Sequence, residues 1–407
     1  MKILFINSFY HPDVSGGAEV MLRAIASELS RRGCDVSVLT TRDQSSTRSI
    51  VVDSIDDVRV YRAPIQNLYW PLSKTAQRPG VVTRLLWHLK DSYNFSMKYF
   101  VRSVLKQEQP DLVVCHNLSG LSISVWDEVY AANIPIIQVL HDQYLKCIRG
   151  TKFNGKGPCA KQCLSCRAFR LRHRRKSEKV SGVVGVSRYI LDEFSADGYF
   201  QGATRCVIYN ARELYEILAD QKKISTSEGA GLVFGFIGSL IKPKGIELLL
   251  NSFRNIDASN RLLIAGVGSK EYVDMLKAMP SNNNVEFLGY TKPRDFFSRI
   301  DVCIVPSIWP DTFPTVALEA EANGKPVIAS GLGGLPEIVK HEHNGLLFDI
   351  SDANGLTNAL LKICEDRAFL EKIKGNAASS VANLVDTERM LDEYEALHES
   401  LVYARPV

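Results

Sequence analysis

Short apolar runs follow one another along this chain, each succeeded by a helical stretch or a glycine turn, and this alternation restricts the fold more than any other feature. KILFI (2–6) leads into AEVMLRAIASELSRRG, whose apolar residues recur every three or four positions up to Gly33. DVSVLT (35–40), DLVVCH (111–116), IPIIQVLH (134–141), VVGVS (183–187) and RCVIY (205–209) continue the series. Short, nearly continuous apolar runs are buried parallel strands. Strands alternating with helices make a doubly wound α/β sheet.

After Asn210 the pattern gives way to the polar stretch QKKISTSEGAG, which reads as a linker. A second series then begins: LVFGFIG (232–238), RLLIAG (261–266), VEFLG (285–289), DVCIVPS (301–307) and KPVIAS (325–330). A chain of 407 residues is too long for one ordinary core. The expected organisation is an α/β protein with two facing Rossmann-like domains, 1–215 and 228–385, and a cleft between them. A last helix, 386–407, is expected to pack back on the first domain. Asp56-Asp57 reads as a solvated charged loop.

The chain is 45% hydrophobic and 23% charged with no low-complexity tract, so it folds. A net charge of +4 gives no reason to expect nucleic acid as a partner. MKILFINSFY has a single Lys and a short apolar run, which suits a buried first strand and not a signal peptide. No apolar run reaches the roughly 18–20 residues of a membrane helix. A cytoplasmic protein is expected, soluble or held at the cytoplasmic face of a membrane. The basic run RAFRLRHRRKSEK (167–179) and the aromatic, cationic helical region 84–106 would suit an anionic membrane surface, or would be solvated helix faces.

An odd number of cysteines, nine, in a chain without a signal peptide indicates thiols. Cys34, Cys115, Cys206 and Cys303 read as small buried hydrophobes. Cys147, Cys159, Cys163 and Cys166 fall within one Gly- and Lys-rich loop, where four thiols would suit a structural zinc ion or remain free.

In open α/β sheets ligands sit at the carboxyl ends of the strands, and several unusual segments fall there. WPDTFPTVALE (309–319) enters a helix at Pro314, a residue suited to a first turn. The free amides of Thr315 and Val316 would face an anion such as a diphosphate. Glu319 could accept from a ribose diol, and Asp311, on the other side of the helix start, from hydroxyls at the ligand's far end. A dipole-complementing Asp and a solvated Glu would explain those two residues singly. GFIGSLIKPKG (235–245) puts Gly238 and Ser239 in a turn after a strand, with Lys244 or Lys242 able to neutralise phosphate oxygens. HPDVSGGAE (11–19) brings Gly16 and Gly17 to a helix start. LHDQY (140–144) sets His141 at a strand end, and GLGGLPEIVKHEHNGLLF (331–348) repeats the glycine turn with Glu337 behind it.

Taken in order, GGAE, the mid-chain HD, GSLIKPKG, Gly266-Val267-Gly268, the run from Asp311 to Glu319 and Gly333-Gly334 with Glu337 resemble the retaining GT-B glycosyltransferases of family four, the group 1 set, over nearly the whole chain. The resemblance implies a nucleotide-sugar donor, most commonly UDP-linked, bound mainly by the second domain. Glu319 would hold the ribose, and Asp311 the donor sugar together with backbone from Phe313 and Pro314 to Val316. Lys244 would neutralise the diphosphate, Gly16 and Gly17 would approach from the other domain, and His141 would lie near the reacting carbon. The implied acceptor is a saccharide or lipid-linked saccharide in cell-surface polysaccharide synthesis, and no metal or cofactor is required for catalysis. Two positions depart from the family pattern: Asp311 stands where its first acid is Glu, and Ser239 where it carries Arg. A non-catalytic sugar-nucleotide-binding protein and an epimerase of the same fold remain alternatives. The lack of a GxGxxG at the first strand argues against a dinucleotide dehydrogenase.

Overall fold

The computed structural model of the chain describes residues 1–43, 49–72, 79–155, 157–211, 231–280 and 284–403. The linker QKKISTSEGAG lies, apart from Gly231, outside the described residues. The chain divides into two compact units, Met1–Lys152 with Ala160–Tyr209 and Glu388–Val407, and Phe153–Cys159 with Asn210–Thr387. The Cys-rich loop, expected whole in the first domain, is thus divided.

In the first unit an eight-stranded sheet is built from β1 (Lys2–Ile6), β2 (Asp35–Arg42), β3 (Val51–Ile55), β4 (Val58–Pro64), β5 (Leu112–Cys115), β6 (Ile136–Leu140), β7 (Gly182–Gly185) and β8 (Thr204–Val207). Their order is β3-β4-β2-β1-β5-β6-β7-β8, and every pairing is parallel except β3 with β4. Ile3 to Ile6 are buried, as a central strand covered on both faces requires. The β3–β4 hairpin turns at Asp56 and Asp57, both in the left-handed region (φ 51° and 62°), with Ile55 paired to Val58. Asp and Asn tolerate this conformation in two-residue hairpins. The pair therefore makes a turn, and the Arg23 guanidinium binds Asp56 at 2.7 Å. β8 is an edge strand with its first two residues exposed.

The helix Thr387–Tyr403 contributes its residues from Glu388 onward to this unit. Arg32 reaches Glu388, Asp392 and Glu395 on it at 2.5, 2.8 and 2.5 Å. Leu401 and Leu397 pack over Gly182, where a Cβ would come within 2.7 Å of Leu401.

The second unit holds β9 (Val233–Ile237), β10 (Arg261–Ala265), β11 (Val285–Gly289), β12 (Val302–Val305), β13 (Val327–Ser330) and β14 (Gly345–Phe348). The order β11-β10-β9-β12-β13-β14 is wholly parallel. It corresponds to the dinucleotide-fold order in which the first strand is central, so the topology reverses between β9 and β12, where open sheets bind ligands. In the first unit the same reversal falls between β1 and β5. The second unit's core runs from Phe234 and Phe236 through Leu249, Phe253 and Ile304 to Leu360 and Ile373. No helix among the described residues is long and apolar enough to cross a membrane.

Candidate functional site

Lys244 and Asp311 descend from β9 and β12, the strands flanking the second unit's reversal, and their side chains meet as an ion pair at 2.5 Å. Local backbone makes this meeting possible. A short 3-10 turn, Lys242–Lys244, ends at Gly245, which has φ +74°; a Cβ there would lie 1.8 Å from the Pro306 carbonyl oxygen. Only glycine fits such an approach. Ile308 donates its amide to Pro243 at 2.9 Å, tying the two strand ends together. The Lys244 ammonium also lies 5.6 Å from the Trp309 ring centre.

Gly333, at φ +61°, and Gly334 pass directly beneath the Asp311 turn. Cβ atoms there would each lie 2.1 Å from a carbonyl oxygen, of Asp311 and of Thr312 respectively. Gly334 donates its amide to Asp311 at 2.8 Å. Gly238 and Gly266 make a third crossing: Gly266 lies where a Cβ would meet the Gly238 oxygen at 1.8 Å. Ser239, next along, is exposed.

From this turn the helix Thr315–Ala322 starts. Pro314 is its N-cap residue, one place before the first helical residue that the sequence suggested, and its carbonyl accepts from Ala317 at 3.0 Å. The amides of Thr315 and Val316 have no acceptor within the helix. No acidic residue occupies the first turn, so the positive end of the dipole is not neutralised from within the helix. Phe313 is buried, Glu319 is half-buried one turn further along, and Glu321 is fully buried. Two half-buried charges, a free helix end and closely crossed glycine backbones thus share one end of one sheet. That set suits an anion joined to hydroxyl-bearing groups.

In the first unit, Gly16 caps the helix Gly17–Arg31, and the Glu19 carboxylate accepts from its amide at 2.7 Å and from Ser15 at 3.3 Å. Burial raises the Glu19 carboxyl, against the hydrogen bond from Gly16. The Gly16 amide is therefore already engaged by a carboxylate of its own helix. Gly17 has open space where a side chain would stand.

His141 follows β6, and a second histidine that the sequence reading passed over, His116, follows the neighbouring strand β5. Their rings stack with centres 5.0 Å apart and join through His116 Nδ1 and His141 Nε2 at 2.7 Å, one nitrogen donating and the other accepting. Burial lowers His141 to about 4 and holds His116 well below the usual imidazole range, so both rings are neutral at pH 7. The end of DLVVCH carries the same strand-end signal as LHDQY. Asp142 accepts from the Tyr144 amide at 2.8 Å, and burial raises it to about 6.

Among the described residues no group of three or more His, Cys, Asp or Glu is arranged to hold a metal ion. Cys159 falls in the second unit, and Cys147, Cys163 and Cys166 in the first. The Cys166 thiol hydrogen-bonds to Cys147 and, with the amides of Arg149, Lys152 and Thr151, holds Cys147 below the usual thiol range. None of the nine cysteines forms a disulfide; Cys115 and Cys303 are buried, whereas Cys34 and Cys206 are only half-buried.

The chain resembles known proteins along most of its length. The family described as "Glycosyl transferases group 1" matches residues 219–380, and "Glycosyl transferase 4-like domain" matches residues 16–211. A Klebsiella pneumoniae protein described as an uncharacterized 42.6 kDa protein in the cps region is 28% identical over 88% of this chain and 92% of its own length. An uncharacterized glycosyltransferase of Methanocaldococcus jannaschii is 26% identical over 94% of this chain and 93% of its own. Sucrose-phosphate synthase from Thermosynechococcus elongatus superposes with TM-score 0.75 at 20% identity, over 99% of this chain and all of its own. Anabaena HepE, solved in complex with UDP-glucose, gives 0.70 at 20% identity over 98% of this chain and all of its own. At those identities the solved structures show a shared fold, GT-B.

Proposed function

Because this chain belongs to the group 1 glycosyltransferases and has their GT-B fold, we propose that it is a retaining enzyme using a nucleotide-sugar donor, with UDP as the nucleotide. Its acceptor is a saccharide or lipid-linked saccharide, in the synthesis of a cell-surface polysaccharide. One observation carries the donor site: the open start of the Thr315–Ala322 helix at the β9–β12 reversal, with Lys244 and Asp311 beside it. The solved complexes of Anabaena HepE with UDP and with UDP-glucose support a uridine nucleotide. The Klebsiella protein of the cps region and a capsular polysaccharide biosynthesis glycosyltransferase of Staphylococcus aureus, 25% identical over 42% of this chain, support a polysaccharide product.

In this reading the diphosphate takes the amides of Thr315 and Val316 and the charge of Lys244. Glu319 grips the ribose. Asp311, released from Lys244 as phosphate oxygens replace it, accepts from the donor sugar. An acceptor hydroxyl oxygen bonds to the anomeric carbon on the face the diphosphate leaves. The carbon–oxygen bond to the diphosphate breaks with its electron pair, and the hydroxyl proton passes to a phosphate oxygen. Lys244 and the helix end stabilise charge as it grows on the leaving group. Within the first unit, Gly17 and His141, the latter held by His116, are the candidate substrate contacts. No step requires a metal ion.

A thermal-shift panel of UDP-, GDP- and ADP-sugars tests the donor site. A ligand at 100 times its dissociation constant stabilises by about 2.7 kcal/mol. A UDP-sugar is expected to raise the melting temperature of the wild type and not of Glu319→Ala. If no member stabilises the wild type, the donor site is wrong.

A further inference from the structure

The helix Val81–Ser92 is folded with its apolar side outward. Of its twelve residues only Trp87 and Asp91 are buried. Val81, Val82, Leu85, Leu86 and Leu89 form one stripe at helical spacing and are 72%, 69%, 52%, 49% and 59% exposed. A helix of a soluble protein normally turns such a stripe inward, and an exposed one marks an interaction surface. Phe95 and Tyr99, on the next helix, are 70% and 73% exposed, and Leu164 and Leu171 82% and 79%.

Positive charge lies beside Phe95 and Leu171. A cavity of about 870 Å³ lies among Tyr93, Phe95, Leu171, Arg172, Arg175 and Lys179, with Glu178 the acid among its lining residues. Asp127 pairs with Lys176 and Lys179 at 2.5 and 2.7 Å, whereas Arg172 and Arg175 are exposed and have no ion pair among the described residues. Apolar stripe and basic segment are fastened together from below. Arg170, fully buried, binds Asp91 at 3.3 Å and lies 4.2 Å from the Tyr144 ring centre, and Tyr144 donates to Asp91 at 3.0 Å. The last turn of the helix and the start of the basic run are therefore one rigid platform.

We propose that this platform docks the protein on an anionic lipid bilayer, with Leu85, Leu86, Leu89 and Phe95 entering the headgroup–acyl boundary and Arg172 and Arg175 meeting acidic headgroups. Charge complementarity selects this occupant: aliphatic and aromatic groups bordered by cations are the pattern of an interfacial helix, and unpaired arginines gain from a negative surface. The proposal does not depend on the identity of the donor. It places the first unit beside any acceptor carried on a lipid.

Vesicle co-sedimentation of the full chain tests it, using neutral phosphatidylcholine vesicles and vesicles with about 30% phosphatidylglycerol, a content that gives a strongly negative surface. The wild type is expected to sediment only with the anionic vesicles and to be released by salt. Arg172→Gln/Arg175→Gln and Leu85→Gln/Leu86→Gln should each weaken partitioning roughly tenfold or more. All four residues are exposed, so the variants should keep the wild-type melting temperature. No sedimentation, equal sedimentation with neutral vesicles, or unaffected variants would overturn the proposal. So would a self-associated wild type that Leu85→Gln/Leu86→Gln makes monomeric without any vesicle binding, since the stripe would then be a protein contact. A donor-induced thermal shift measured without vesicles reports separately on the transferase reading.

Discussion

Glu321 sits two residues from Glu319 on the same helix, yet it is completely buried. Neither carboxyl oxygen has a hydrogen-bond partner of good geometry. Burial raises the group from 4.5 to about 9, with the Val327 amide a weak counterweight. At pH 7 the folded protein holds this acid neutral while the unfolded chain ionises it. A raised folded value for an acid means that its contribution to stability is intact below about 4.5, falls as pH rises, and levels off above about 9. Each pH unit in that window costs about 1.4 kcal/mol, so the group costs about 3 kcal/mol at pH 7 relative to acid. Glu321→Met removes the titration at similar volume. The variant should therefore be more stable than the wild type at pH 7, by an amount that grows by about 4 kcal/mol between pH 5 and pH 8. Urea unfolding at both pH values, with hydrogen exchange of peptides from 315–330 to isolate the second unit, measures that growth. A stability difference that does not change with pH would show that Glu321 ionises freely, and the packing described around this helix would be wrong.

Four further outcomes follow from the site. Lys244→Gln removes a charge-assisted contact and should weaken donor binding about 10- to 100-fold by calorimetry; unchanged affinity would remove Lys244 from the site. Gly333→Ala forces a Cβ to 2.1 Å from the Asp311 oxygen at a positive φ and should abolish donor binding, whereas Gly17→Ala, with open space around it, should leave the melting temperature unchanged and lower kcat/KM. An unaffected Gly17→Ala enzyme would exclude close approach of ligand there. Because burial holds His141 at about 4, the pH–rate profile should lack a histidine limb near 6.5, and His116→Phe should lower kcat by releasing the ring that steadies His141; a limb near 6.5 that disappears in His141→Ala would contradict this. Transfer should persist in excess EDTA, and loss of activity restored by a divalent cation would contradict the metal-free mechanism.

The parallel strands were legible because each is a compact apolar run, and the glycine turns because their residues have few other uses. Three strands, β3, β4 and β14, were not. In β3 all five residues are exposed or half-buried, so Val51 to Ile55 carries no apolar run, and Asp56-Asp57 looked like a solvated loop until its hairpin pairing was visible. β14 is four residues long and hidden at the end of a glycine-rich segment. At the site, the helix start could be read locally from Pro314 and its neighbours. The Lys244–Asp311 pair could not, because it spans 67 residues and depends on which strands become neighbours. The same holds for His116 and His141, which are brought together by the β5–β6 pairing. The cysteine spacing suggested a metal, but spacing does not say where the thiols point, and Cys166 turns toward Cys147. The outward apolar stripe at 81–89 was equally hidden, since helical periodicity identifies an apolar face without telling what covers it.

The central claim is that a diphosphate binds where the Thr315–Ala322 helix begins. A crystal structure of the protein with a UDP-sugar tests it most directly. Phosphate oxygens should lie on the amides of Thr315 and Val316, Lys244 should turn to the phosphate, and the ribose should sit on Glu319. A nucleotide bound elsewhere, with those amides bare and the Lys244–Asp311 pair intact, would contradict it.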